Sequence, residues 1–133
     1  MQSLLLNASE VELLVALAAH NVRYLIIGGH AVIFHGYLRP VKDLDIWVEP
    51  THENAGRTAV ALADVRILLQ QSHIDRLAAQ KLQMPIAGLN TEILTSIAGL
   101  EFNDAFEGSK KTFAQETFCL VLYLQDLIVS KKR

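Results

Sequence analysis

Leu25-Ile26-Ile27-Gly28-Gly29-His30-Ala31-Val32 is followed, after a short connector, by Asp43-Leu44-Asp45-Ile46-Trp47-Val48. The first stretch reads as an apolar strand, a two-glycine turn and the start of a short helix. The second reads as a strand that carries two aspartates. Side chains alternate along a strand, so Asp43 and Asp45 share one face while Leu44, Ile46 and Val48 share the other. Neighbouring carboxylates repel unless a cation lies between them. A hard divalent ion such as Mg²⁺ takes oxygen ligands of this kind and keeps positions open for phosphate oxygens. A glycine turn at a helix N-terminus presents backbone N–H groups to phosphate. Together the two stretches point to chemistry on a nucleoside triphosphate.

The flanking sequence surrounds this unit with alternating helices and strands. Ser9-Glu10-Val11-Glu12 matches a capping box, with Ser9 as N-cap. Val11, Leu14, Leu17 and Ala18 then recur at helical spacing, which predicts a helix over 9–20 stopped near Asn21. The strand of the opening motif spans 22–27. Ala31, Val32, Phe34 and His35 begin a short helix that Gly36 ends. Pro40 makes 38–42 a connector. After the strand at 43–49, Thr51 is the natural N-cap of a helix over 52–63. Residues 65–80 are helical in character without clear bounds. Strands follow over 81–87, where Pro85 suits an edge, and over 90–96, which is rich in β-branched residues. A helical turn at 102–108, one or two strands within 111–122 and a closing helix at 124–132 complete the chain.

This order predicts one domain over 1–133 of α/β (α+β) class, a small mixed sheet flanked by helices. The crossover between the strands at 22–27 and 43–49 is too short for a dinucleotide-binding βαβ unit. Gly28-Gly29 also lacks the further glycine of a G-x-G-x-x-G turn, and no G-x-x-x-x-G-K-[ST] loop occurs.

Composition narrows the partners. The formal net charge of −2 argues against a broad electrostatic grip on nucleic acid. Lys110-Lys111 and Lys131-Lys132-Arg133 are short enough to be solvated ends. Hydrophobic residues make up 51% of the chain, which implies either a generous core or apolar surface covered by a partner or a second copy. The single cysteine, Cys119, has no internal disulfide partner, and no Cys/His spacing suggests zinc. His20, His52 and His73 share no ligand spacing and read as surface or cap residues. The N-terminus lacks the features of a signal peptide, and no apolar run reaches membrane-spanning length. The expectation is a soluble, cytoplasmic chain.

Gly28-Gly29, a 13-residue gap and Asp43-Leu44-Asp45 resemble the signature of the nucleotidyltransferase-fold superfamily, shared with polymerase-beta-like enzymes. The fuller pattern, with His30-Ala31, His35-Gly36, Arg39 and Lys42, is similar to its small members, the minimal nucleotidyltransferases and the AbiEii-like toxins and related antitoxins. Thr91-Glu92-Ile93-Leu94 resembles the family strand that bears the third carboxylate, and Leu124-Gln125-Asp126-Leu127-Ile128 its closing helix.

The resemblance implies a nucleotidyltransferase palm. It implies that Asp43, Asp45 and Glu92 hold one or two Mg²⁺ ions, and that Glu92 can accept the acceptor's proton. Gly28 and Gly29 would bind the triphosphate, with His30, Arg39 and Lys42 as further phosphate contacts. The activity implied is magnesium-dependent transfer of a nucleoside monophosphate to a hydroxyl of a protein, an RNA or a small molecule, with a toxin–antitoxin pair as one setting. A non-catalytic module on the same fold, an antitoxin-like partner or a nucleotide sensor, is the alternative. A cognate toxin or antitoxin protein and a second copy are the partners implied. Three departures mark this chain. Val41 stands where the family often has Thr, the third carboxylate is Glu92 in place of the usual Asp, and the chain ends at Arg133 where many relatives continue. Trp47 falls on the aspartate face, either as a pocket wall or as core.

Overall fold

The computed structural model describes residues 3–4, 6–28, 31, 44–79, 82–86, 88–97, 99–114 and 117–121. The helix begun at 31–35, the connector at 38–42 and the closing helix at 124–132 therefore lie outside the described residues, apart from Ala31, which is helical and fully buried.

Among the described residues, four helices and seven strands follow one another as β1 (Ser3–Leu4), α1 (Ala8–Ala19), β2 (Tyr24–Ile27), β3 (Leu44–Val48), α2 (His52–Asp64), α3 (Gln71–Ala79), β4 (Gln83–Ile86), β5 (Thr91–Leu94), α4 (Phe102–Glu107), β6 (Lys110–Ala114) and β7 (Thr117–Val121). The strands form one mixed sheet in the order β1-β6-β7-β2-β3-β5-β4. β2 and β3 run antiparallel, while β3 and β5 run parallel. The antiparallel β2–β3 pair explains the short crossover, because only parallel neighbours need a long connection. The expected mixed α/β architecture is present, with β4 at one edge as Pro85 requires.

Helix ends follow local chemistry. Thr51 caps α2 as expected, its side chain accepting from the backbone of Asn54 at 3.2 Å. α1 starts one residue ahead of expectation. Its capping box is Asn7–Glu10 rather than Ser9–Glu12: Asn7 accepts from the Glu10 N–H at 2.8 Å, and Glu10 accepts from the Asn7 N–H at 2.9 Å. Two overlapping boxes compete here, and starting at Asn7 adds the Val11 N–H to Asn7 carbonyl bond while retaining an equally strong N-cap residue. Asn21, the expected stop, has left-handed backbone at φ 55° directly after the α1 C-cap. The region 65–80 is not one helix. Arg66 turns left-handed at φ 69°, and α3 begins only at Gln71.

The core forms around β3. Leu44, Ile46 and Val48 are fully buried, and α2 packs on β3 while also touching α1 and α3. Leu13, Leu14 and Leu17 of α1, Leu62 of α2 and Leu77 of α3 are buried with them. On the opposite face, Trp47 meets Phe102 of α4 edge-on, with ring centroids 5.2 Å apart, and Phe102 stacks on Phe106. α4 thus covers the Trp47 end of that face. No helix among the described residues is long and apolar enough to cross a membrane.

Candidate functional site

Strand register decides which carboxylates meet. β3 and β5 pair in parallel with Leu44 opposite Thr91, Asp45 opposite Glu92, Ile46 opposite Ile93 and Trp47 opposite Leu94. Residues opposite one another in a ladder project to the same side, so Asp45 and Glu92 stand side by side on strands ~4.8 Å apart. A slip of one residue would set Thr91 or Ile93 beside Asp45 instead. The register is fixed by the tight connection before β5, where the Leu44 N–H donates to the Asn90 carbonyl at 2.8 Å and Asn90 is left-handed at φ 49°. It is fixed equally by burial, since Thr91 and Ile93 belong with Leu44 and Ile46 in the core.

β2 supplies the third wall. Ile27 pairs with Asp45, so the chain leaves the sheet at Gly28 directly beside the Asp45 carboxylate. Gly28 is left-handed at φ 69°, and a Cβ built there would overlap Asp45 Oδ2 and lie 3.1 Å from Asp45 Cγ and 3.2 Å from Asp45 Cβ. Glycine is therefore required twice over, by the backbone turn and by the side chain that fills the space a Cβ would take. Asp45 and Glu92 are both half-buried. They sit at the end of the sheet where β2 finishes and β3 and β5 begin, on the face opposite Leu44 and Ile46.

The partners of Glu92 come from the edge strand. Gln83 of β4 donates from Nε2 to Glu92 Oε1 at 2.9 Å. Gln83 and Pro85 are exposed while Met84 and Ile86 are buried, so the face of Asp45 continues across Glu92 to Pro85 and Gln83. A hollow of about 220 Å³ lies between Leu82, Gln83, Leu94 and Ser96, next to this pair. A larger apolar groove of about 340 Å³, lined by Ile67, Leu69, His73, Met84 and Ile86 among others, lies elsewhere against β4.

Of the residues singled out in the sequence, the structure brings together Gly28, Asp45 and Glu92. Asp43, Gly29, His30, Arg39 and Lys42 lie outside the described residues, as does His35. Among the described residues no three His, Cys, Asp or Glu side chains are grouped to hold a metal ion. The pair Asp45 and Glu92 remains a fitting start for one. Both are carboxylates, the preferred donors of Mg²⁺. Asp43, next in the chain before Leu44, is the residue the sequence offers as a third donor.

Two side chains gain meaning only from the structure. Gln83 carries no sequence signal of its own, because its role depends on pairing between β4 and β5. Trp47 proves to be core, 1% exposed, and its indole N–H has no hydrogen-bond partner among the described residues. The histidines among the described residues are dispersed. His20 caps α1 and pairs with Asp64 at 2.6 Å, His52 opens α2, and His73 is half-buried in α3. A scan against protein-family models gives no match to this chain, and a search of curated proteins gives none either.

Proposed function

We propose that the chain is a small magnesium-dependent nucleotidyltransferase, its sheet serving as the palm of the polymerase-beta-like fold. It would move a nucleoside monophosphate from a triphosphate to a hydroxyl of a protein, an RNA or a small molecule. The observation that carries this proposal is the alignment of Asp45 with Glu92 on adjacent parallel strands, directly beside the left-handed Gly28. The spacing from Gly28-Gly29 to Asp43-Leu44-Asp45 supports it independently.

Each residue then has a task. Gly28 lets the chain turn against Asp45 without a Cβ in the way. Asp45, Glu92 and, from its place in the sequence, Asp43 would hold Mg²⁺. When bound, the metal supplies Lewis-acid stabilisation of the charge that develops on the transferred phosphoryl group and on the departing pyrophosphate. Gly29 and His30 would meet the triphosphate at the turn, and Arg39 and Lys42 would contribute positive charge along it. Glu92 would take the proton of the attacking hydroxyl at its carboxylate. The sheet holds Asp45 and Glu92 on rigid strands, which reduces the reorganisation needed at the reacting centre.

Incubation with each of the four ribonucleoside triphosphates and Mg²⁺, followed by measurement of pyrophosphate release, tests the proposal. Magnesium-dependent release that Asp45→Asn lowers at least ~100-fold is expected, in line with removal of a group acting on the transition state. Binding of a triphosphate without release would make the chain a nucleotide-binding module of this fold, of the antitoxin-like or sensor kind. Neither binding nor release with any triphosphate would overturn the proposal.

A further inference from the structure

Glu92 differs from the family pattern by one methylene, and a longer carboxylate has an extra rotatable bond to immobilise. The structure gives that carboxylate a side-chain partner. Gln83 lies diagonally across the β4–β5 ladder, opposite Leu94, while Glu92 is opposite Pro85. Diagonal neighbours in a ladder are within reach of long side chains, and the Gln83 amide reaches Glu92 Oε1 at 2.9 Å.

β4 is itself held in place. The Thr95 N–H donates to the Leu82 carbonyl at 3.1 Å, and the Leu82 N–H donates to Thr95 Oγ1 at 2.9 Å. These bonds make Leu82 and Thr95 a closely bonded pair, so by alternation the Pro85 nitrogen faces away from β5, toward the outer side of the last strand among the described residues. Proline at that position blocks the docking of another strand without disturbing the ladder that carries Gln83. Thr95 is buried, and so are Met84 and Ile86, which anchor the other face of β4.

We infer that Gln83 is a positioning residue for Glu92: its amide occupies one carboxylate oxygen and aims the other toward Asp45, so that a glutamate does here what a shorter aspartate does in the family pattern. The inference rests on the proposed metal site. A side chain that orients a ligating carboxylate in this way typically contributes 10- to 100-fold to metal affinity. A mere surface pair would add only a little stability and leave metal binding unchanged.

The test uses Mn²⁺ alone, with free Mn²⁺ followed by electron paramagnetic resonance, on the full chain and on Gln83→Ala, Glu92→Asp and the double variant. Gln83→Ala is expected to weaken Mn²⁺ binding about tenfold while the thermal midpoint stays close to that of the wild type. In the Glu92→Asp background the same change is expected to have no further effect, because the shorter carboxylate does not reach Gln83. Wild-type affinity in Gln83→Ala, or an equal loss in both backgrounds, would overturn the role of Gln83 and leave the metal site standing. Absence of Mn²⁺ binding by the wild type would overturn the metal site and this inference with it.

Discussion

Replacing Gly28 by alanine probes the site through the backbone. Two costs are expected. The first is conformational: Gly28 sits at φ 69°, and placing an L-residue there costs ~1–2 kcal/mol. The second is steric: the new methyl would overlap Asp45 Oδ2 and press on Asp45 Cγ and Cβ at 3.1 and 3.2 Å. Overpacking of this kind costs ~1–3 kcal/mol, at the lower end here because the carboxylate is half-buried and can swing aside. The total expected for Gly28→Ala is ~2–4 kcal/mol. In an Asp45→Ala background most of the steric part disappears, so the same change should cost only ~1–2 kcal/mol. The difference, a coupling of ~1–2 kcal/mol, is the quantity to measure by a double-mutant cycle. Urea unfolding followed by fluorescence of Trp47, the single tryptophan and a fully buried one, reads all four proteins. On the proposed function, metal binding should fall together with stability in Gly28→Ala, since relief of the overlap pushes the Asp45 carboxylate off the β2 side and out of the position it holds beside Gly28. Additive costs, or an alanine variant as stable as the wild type, would refute the close approach of Gly28 to Asp45.

Further expectations follow from the same contacts. Asn54 is 1% exposed, accepts from the Arg23 N–H and donates to the Arg23 and Glu49 carbonyls, so Asn54→Ala should destabilise by ~3 kcal/mol in urea unfolding, the cost of stranding buried backbone groups. Asn7→Ala should cost ~1 kcal/mol whereas Ser9→Ala should leave stability within ~0.5 kcal/mol, which circular dichroism melts would separate; the reverse order would restore Ser9 as the cap. Trp47→Phe should stay within ~1 kcal/mol of the wild type by denaturation followed with circular dichroism, far less than truncation of an aromatic usually costs, because it also removes a buried indole N–H.

The elements that were legible in the sequence are those whose cause is local. Thr51 announces α2 because its hydroxyl satisfies an orphan N–H, Pro85 marks an edge because it lacks one, and the alternation of Leu44, Asp45 and Ile46 sets the half-buried Asp45 on the face opposite the buried Leu44 and Ile46. Within the site, Gly28, Asp45 and Glu92 were each visible as residue types. Their meeting was implied by the family resemblance alone and not by local pattern, because it depends on the register of β3 with β5 and on the antiparallel turn of β2 onto β3, both long-range pairings. The break at Arg66 has no local signal for a different reason: Val65-Arg66-Ile67-Leu68-Leu69 contains no glycine or proline to mark it. The choice of Asn7 over Ser9 turns on two overlapping boxes of nearly equal strength. Gln83 is visible only once β4 is laid beside β5.

Calorimetric titration of ATP, GTP, CTP and UTP, with and without Mg²⁺, into the wild type, Asp45→Asn and Glu92→Gln tests most directly whether Asp45 and Glu92 form one nucleotide-dependent metal site. The prediction is magnesium-dependent binding of at least one triphosphate that each single substitution abolishes, with the fold retained by circular dichroism. Binding that is indifferent to Mg²⁺ and survives both substitutions would contradict it.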